Sequence, residues 1–358
     1  MVKINKHIEI VASSRHELNS MGPKSQEAIR ATLSKEYARV GITLVNDLSD
    51  LVALVAMAPD MVFLGMKFIP SNPELGLSDP NKIWLSEYFD EQGIAYTGSS
   101  HTAVALELSK ELAKQRVAAA GLQTPLFQVI SRNEQLTQGD VTLRYPLFVK
   151  PTNRGGGAGV DAGSLVYNFP QLLSKVRSLS ADLQSDSLVE EYLPGREFSV
   201  AILKETYTDQ YSVMPIELVA PPDMSGARYL SAQVKAADTE RNLEVTDSNL
   251  KTTINTLALD AFLALGARDY GRIDVRLDSH GAPHFLEANL LPSLLNGYGN
   301  FPKSCLLNNS LEYEPMILTI VSLAFMRTTH EDTHIYEVND APGITLSLAS
   351  SGPVFETA

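Results

Sequence analysis

Residues 271–293 read GRIDVRLDSHGAPHFLEANLLPS, and this stretch decides more about the fold than any other. Two strand-like runs flank His280-Gly281, a two-residue turn signal. With those two residues as the turn, Asp274 faces Glu287 and Arg272 faces Asn289. Side chains alternate with period 2, so these four share one face, while Ile273, Val275, Leu286 and Ala288 take the other. Asp278 lies on the polar face nearer the turn and reads as solvated. Two adjacent carboxylates repel unless a cation or a shared proton compensates. Oxygen donors of this kind suit Mg²⁺, which keeps waters and takes phosphate oxygens as further ligands. Arg272 is then placed to stabilise negative charge on a transferred phosphate or tetrahedral centre. An exposed polar face with cross-strand ion pairs has the same pattern.

Upstream, residues 145–150 (YPLFVK) form an apolar strand ending in Lys150, and residues 153–159 hold four glycines: Gly155, Gly156, Gly157 and Gly159. Glycines allow close backbone approach to a phosphate, and their N–H groups can form an anion nest. No G-K-[ST] follows, so the loop is not a Walker A, and a hairpin rather than a helix is expected after it, unlike a dinucleotide fingerprint. A mobile surface hairpin would look alike. Residues 187–197 (SLVEEYLPGRE) read as a strand, a turn at Pro194-Gly195, and Glu197. A free strand edge can hydrogen-bond an adenine and a later acid the ribose; a plain β-turn with a solvated Glu is the bland alternative.

Nearer the N-terminus, residues 7–12 and 61–64 read as buried strands and residues 25–40 as a helix. Residues 83–92 read as a helix, 94–96 as a short strand and 103–120 as one long helix. This alternation indicates a parallel α/β unit. Between residues 127 and 203 the pattern becomes antiparallel hairpins with a helix over 169–179. Residues 220–247 read as a long loop with an embedded strand, 250–265 as a helix and 313–326 as a final apolar helix. The expected division is 1–121, 122–208, 209–330 and a tail, 331–358.

The 358 residues are 44% hydrophobic and 20% charged, ordinary for a globular protein of two or three domains. A net charge of −13 argues against a general nucleic-acid or anionic-membrane binder. The single cysteine, Cys305, excludes an internal disulfide framework and reads as a small hydrophobe rather than a nucleophile. No secretory signal and no run of 18 apolar residues is seen, so a cytoplasmic protein without a membrane span is expected.

The order of these motifs resembles the ATP-grasp superfamily, most closely the D-alanine–D-alanine ligase group, over residues 60–325. VEEYLPGREFSVAIL and GRIDVRLD…HFLEAN look like that family's own segments. The resemblance implies an α/β and α+β, three-domain ATP-grasp fold with ATP between the central and C-terminal domains, and an ADP-forming carbon–nitrogen ligase. It further implies that Lys110 (in ELSKELAKQ) and Lys150 contact ATP phosphates beside Gly155, Gly156 and Gly157. Glu190 and the backbone of Glu191 and Leu193 would hold adenine, and Glu197 the ribose. The family's Lys-Tyr pair matches Arg228-Tyr229, so Arg228 would contact phosphate and act in catalysis with Lys150 and Arg272. Asp274, Glu287 and Asn289 would hold two Mg²⁺. The implied partners are a small-molecule acceptor, an amino acid and a second copy of the chain.

The departures from the family fall on the substrate side. Its H-G-x-x-G-E-D-G is absent where this chain reads LGMKFIPSNPELG (64–76). Its loop serine is Gly156, its S-P-G is Leu291-Pro292-Ser293, and its first-strand acid has only Glu17 as a match. Glu17, Lys67, Tyr229 and Ser293 are the candidate substrate residues. These changes point to specialised metabolism, with an amino acid added to a cyclohexenone-glycine core as in mycosporine-like sunscreens. Alternatives are a D-alanine–D-alanine or other dipeptide ligase, a non-catalytic ATP-binding regulator, and a kinase that stops at phosphate transfer.

Overall fold

The computed structural model describes residues 2–223 and 226–337. Among the described residues three large sheets are built in chain order, beside one two-stranded hairpin. The first is four-stranded and parallel, in the spatial order Tyr37–Leu44, Ile4–Ala12, Met61–Leu64, Ala95–Tyr96. Of its inner strands, Met61–Leu64 is a continuous apolar run, whereas Ile4–Ala12 is buried from His7 onward and carries His7 and Glu9, which pair with each other (2.6 Å). Ile8 and Ile10 pack with Ile29 and Leu33 of the helix Pro23–Glu36 and with Met316, Ile317 and Ile320 of the last helix, Tyr313–Glu337.

The second sheet is antiparallel, in the order Phe127–Ile130, Ser187–Glu191, Leu147–Pro151, Leu165–Val166. The helix Phe169–Leu183 buries Leu172, Val176 and Leu179 against it. The third sheet, also antiparallel, runs Arg241–Glu244, Tyr211–Val219, Glu197–Lys204, Tyr270–Leu277, Pro283–Asn289. The helices Ser248–Ala264 and Lys110–Ala119 pack on its apolar face through Ile254, Ala258, Ala113 and Val117.

Several readings of the sequence need correction. The helical spacing over 25–40 ends at Glu36, and Tyr37–Leu44 is an edge strand; pairing with the first strand overrides local periodicity. The reading of 83–92 as one helix divides into a strand, Lys82–Trp84, paired with Phe68–Pro70, and the helix Leu85–Glu91. The long helix over 103–120 is two, broken at Ser109, whose φ/ψ of −102/100 is extended. At that break the Lys110 N–H donates to Thr152 O (3.2 Å), which docks the second helix onto the end of the Lys150 strand. Within the 220–247 loop, a helix, Ala232–Ala237, precedes the expected strand. The last helix runs on to Glu337, and the remainder of the 331–358 tail lies outside the described residues.

The decisive hairpin has the expected facing for a different reason. Arg272 pairs with Asn289 and Asp274 with Glu287, but beyond them Val275 pairs with Phe285, Arg276 with His284 and Leu277 with Pro283. The turn is therefore not a two-residue one at His280-Gly281. It is a longer loop in which the Asp278 N–H donates to Ala282 O (2.9 Å), while the Asp278 carboxylate accepts from the His280 and Ala282 N–H groups (both 2.8 Å). Leu286 is the extra residue of a β-bulge that restores the register. It lines the cavity beside Glu287 instead of joining the apolar face with Ile273 and Val275.

Candidate active site

Two cavities meet between the second and third sheets, and Lys110, Arg154, Ala158, Lys235 and Glu287 line both. The narrow one, about 100 Å³, runs between the Lys150 strand, the 190–193 hinge and the decisive hairpin. Its wall is aromatic: the Phe148 ring lies 6.5 Å from Tyr192, nearly parallel to it, and 5.7 Å from Tyr229. The wide one, about 630 Å³, is polar and lies within the usual size of small-molecule pockets. It opens between the glycine-rich loop, the 288–300 segment, the first sheet's loops with Glu17 and Lys67, and Glu107 near the end of the helix His101–Leu108.

The narrow cavity is wrapped in buried charge. The Glu190 carboxylate lies 2.6 Å from Lys114 Nζ and 2.8 Å from Lys150 Nζ. Burial opposes its ionisation, but the two ammoniums outweigh that and hold it below the usual carboxylate range. Burial pulls Lys114 down to about 8, with Glu190 partly offsetting it, whereas beside Glu190 and Glu287 Lys150 ends above its ordinary value despite burial. Burial also lowers Lys110, which donates to the Arg154 carbonyl at the start of the glycine loop. Glu190 therefore meets lysines rather than presenting a free side chain to a base. At the hinge, the Glu191 N–H donates to Leu126 O (2.9 Å), and Leu193 O accepts from Arg276 Nε (2.7 Å). Glu197 accepts from Arg276 Nη1 (2.8 Å), and burial raises its carboxyl above the usual range although Arg276 opposes this.

At the junction of the cavities, Asp274 accepts from Ser199 Oγ (2.9 Å) and Arg272 Nη2 (3.0 Å). Glu287 lies 3.8 Å from Lys110 Nζ, too far for a hydrogen bond. Burial would raise its carboxyl, but Lys110, Lys150, Lys235 and Arg272 together pull it down to about 2. Among the described residues no three His, Cys, Asp or Glu side chains cluster as a metal site. The candidate donors on the hairpin face are Asp274, Glu287 and the Asn289 amide, all hard oxygens. They fit Mg²⁺ that shares its coordination with phosphate and water.

The glycine loop shows why glycine is needed at particular positions. Gly157 has φ +80°, and a Cβ there would lie 3.1 Å from the Ala232 N. The loop thus interlocks with residues 230–232, whose Ala232 N–H donates to Val160 O (3.3 Å). Gly155 and Gly156 face the wide cavity with open space around them.

The structure brings together Lys110, Lys150, Gly157, Glu190, Glu191, Leu193, Glu197, Tyr229, Asp274 and Glu287 in the narrow cavity. The wide one gathers Glu17, Lys67, Gly155, Gly156, Arg272, Asn289 and Ser293. Tyr229 donates to Asp223 Oδ2 (3.2 Å), and burial raises its phenol to about 12. Arg228 does not join them: it is exposed, donates to Ala220 O, and lines neither cavity. The cation that does so from this segment is Lys235, on the helix Ala232–Ala237. Glu17 stands at the rim, half-exposed and paired with Arg15 (3.0 Å). Arg276, Lys114, Lys235 and Glu107 went unread in the sequence. Period 2 along RIDVR already puts Arg276 beside Asp274, and Lys114 lies one helical turn past Lys110 among apolar neighbours. Lys235 and Glu107 carry no local signal.

The geometry has counterparts among known proteins. A family model described as D-ala D-ala ligase C-terminus matches residues 117–322. A protein of Sinorhizobium fredii designated y4sG is 33% identical over 56% of this chain and 58% of its own length. A D-alanine–D-alanine ligase of Marinomonas sp. is 30% identical over 76% of this chain and 80% of its own. The ATP-complexed D-alanine–D-alanine ligase of Bacillus anthracis superposes with a TM-score of 0.69 at 21% identity, covering 91% of this chain and 99% of that one. The fold is that of the ATP-grasp ligases.

Proposed function

We infer the chemistry of this site from one premise: the chain belongs to the D-ala D-ala ligase C-terminus family. It is an ATP-dependent, ADP-forming carbon–nitrogen ligase that activates an oxygen of a small acceptor for attack by an amino acid's amine. The observation that carries this reading is the hairpin face of Arg272, Asp274, Glu287 and Asn289, standing where the two cavities meet, opposite Lys110 and Lys150.

The narrow aromatic cavity takes the nucleotide base, and Glu197, oriented by Arg276, faces the ribose. Lys110 and Lys150 neutralise phosphate charge, the glycine loop covers the phosphates, and Asp274, Glu287 and Asn289 hold Mg²⁺, two ions in this reading. Bound Mg-ATP supplies the phosphoryl group that makes the acceptor's oxygen a leaving group. Arg272 offsets the negative charge that develops as the amine attacks. The glycine loop, 153–159, and the segment 226–247 close together over the site and keep water from the activated acceptor. The seams at 121, 208 and 330, a homodimer and a cytoplasmic setting belong to the same reading.

For the acceptor we propose the enolised ketone of a cyclohexenone-glycine core, to which an amino acid is added. Its support is on the substrate side: Gly156 in place of a serine, the 68–84 hairpin in place of the family's loop, and a Glu17 engaged by Arg15. The Marinomonas relative favours the second reading, a D-alanine–D-alanine ligase. Amine-dependent ADP release with product mass spectrometry separates them. Turnover with mycosporine-glycine plus one amino acid, and a product heavier by that amino acid minus water, supports the first. Turnover with two amino acids supports the second, and ATP binding with no turnover on any pair favours a regulator.

A further inference from the structure

On the first sheet's side of the wide cavity, Glu107 ends the helix His101–Leu108, and its side chain is only 6% exposed. One carboxylate oxygen, Oε1, accepts from Lys67 Nζ, whose side chain is 15% exposed. The other, Oε2, is buried and has no hydrogen-bond partner among the described residues. A buried acceptor left open is costly, so an unfilled one beside a cavity calls for a donor. Lys67 occupies one oxygen of Glu107 and leaves the second open to a hydrogen-bond donor, while Lys110 and Arg272 also act on this carboxylate from the same cavity.

Elsewhere in the wide cavity an ammonium meets mostly cations or carboxylates already engaged, with Glu240 as the exception. Lys110, Arg154, Lys235 and Arg272 repel it. Glu287 belongs to the phosphate side, where Lys110, Lys150, Lys235 and Arg272 surround it. Glu17 is at the rim with Arg15. Glu240 lines the same cavity near Tyr298, and its Oε2 is likewise buried without a hydrogen-bond partner among the described residues, so it is the competing carboxylate that the test must separate from Glu107. Glu107 faces the same cavity as Arg272, Asn289 and Ser293.

We propose that Glu107, oriented by Lys67, binds the ammonium group of the amino-acid substrate and so makes the wide cavity selective for α-amino acids over their α-hydroxy counterparts. The proposal rests on the ligase reading, and the charge pattern names only the ammonium, not the side chain that accompanies it.

The test is calorimetric titration of the full chain saturated with Mg²⁺ and a non-hydrolysable ATP analogue. The probes are glycine, D-alanine, L-alanine, D-serine, L-serine and L-threonine, with D-lactate and L-lactate as the hydroxy counterparts. At least one amino acid binds, its hydroxy counterpart binds about tenfold or more weakly, and Glu107→Gln weakens the amino acid by a similar factor. Glu107→Asp, which keeps the charge, loses less, and the ATP analogue binds all three proteins alike. Equal binding of lactate and alanine to the wild type overturns the proposal without any variant. So does unchanged binding in a folded Glu107→Gln, or a loss seen only in Glu240→Gln. If no amino acid binds the nucleotide-loaded wild type, the proposal fails, and ADP release with a non-amino nucleophile then shows whether the ligase reading stands.

Discussion

Replacing Arg276 by Met should both destabilise the protein and weaken its hold on the nucleotide, with a pH signature that identifies the cause. The guanidinium is 7% exposed and donates to Leu193 O (2.7 Å), Arg228 O (2.7 Å) and Glu197 Oε2 (2.8 Å). Methionine fills similar volume but leaves two carbonyls without a donor, at about 1 kcal/mol each. It also leaves a buried carboxylate without its cation, a loss of about 3–5 kcal/mol when one member of such a pair is removed. Glu197 can limit that loss by taking up a proton. Its carboxyl is already raised by burial, and losing Arg276 raises it further. A group with a raised folded pKa contributes its stability below the unfolded value and loses it as pH climbs through the folded value. The wild type and the variant therefore differ least in acid and most at neutral pH: about 2 kcal/mol near pH 5 and about 4 kcal/mol or more near pH 8. Urea unfolding at several pH values measures this, and titration with the ATP analogue should show weaker binding at neutral pH. A difference that is flat with pH, or below about 1 kcal/mol throughout, would refute the account of the Arg276–Glu197 pair. Arg276→Lys should fall between, since one ammonium cannot serve three acceptors in fork geometry.

Lys114 is lowered to about 8 by burial, so its contribution to stability is full above its unfolded value and is lost as pH falls through about 8. Wild-type stability should therefore rise relative to Lys114→Met between about pH 7.5 and 10.5, a trend readable from paired melts. Gly157→Ala places a Cβ 3.1 Å from the Ala232 N at φ +80°, which should cost about 1–2 kcal/mol and raise the KM for ATP, whereas Gly155→Ala, with open space around it, should leave both unchanged. Lys235→Ala should lower the rate of ADP release by about tenfold or more through the loss of a cation at the junction, while Arg228→Ala stays within about twofold. The reverse order would restore Arg228 to the role its sequence position implies.

Local chemistry in the chain was enough to identify the chemical face of the site. Alternation along 272–289 places Asp274, Glu287, Arg272 and Asn289 together because strand pairing with period 2 leaves few other arrangements. Lys150 before four glycines and Glu197 after the hinge are equally local, since each belongs to a single strand–turn unit. Tertiary structure decided the rest. It split the helix at Ser109 so that Lys110 reaches the glycine loop, and it turned Tyr37–Leu44 from helix to strand through pairing with a neighbour. It bulged the hairpin at Leu286, which preserved the facing of the carboxylates although the turn is longer than two residues. It also chose Lys235 over Arg228, and set Lys114 against Glu190 and Lys67 against Glu107. Those partners lie far apart in the chain, and a charge meets its counter-charge only when packing removes both from water. Periodicity reports which way a side chain points along its own strand or helix, whereas the partner it meets across the core is settled by how the elements close on one another.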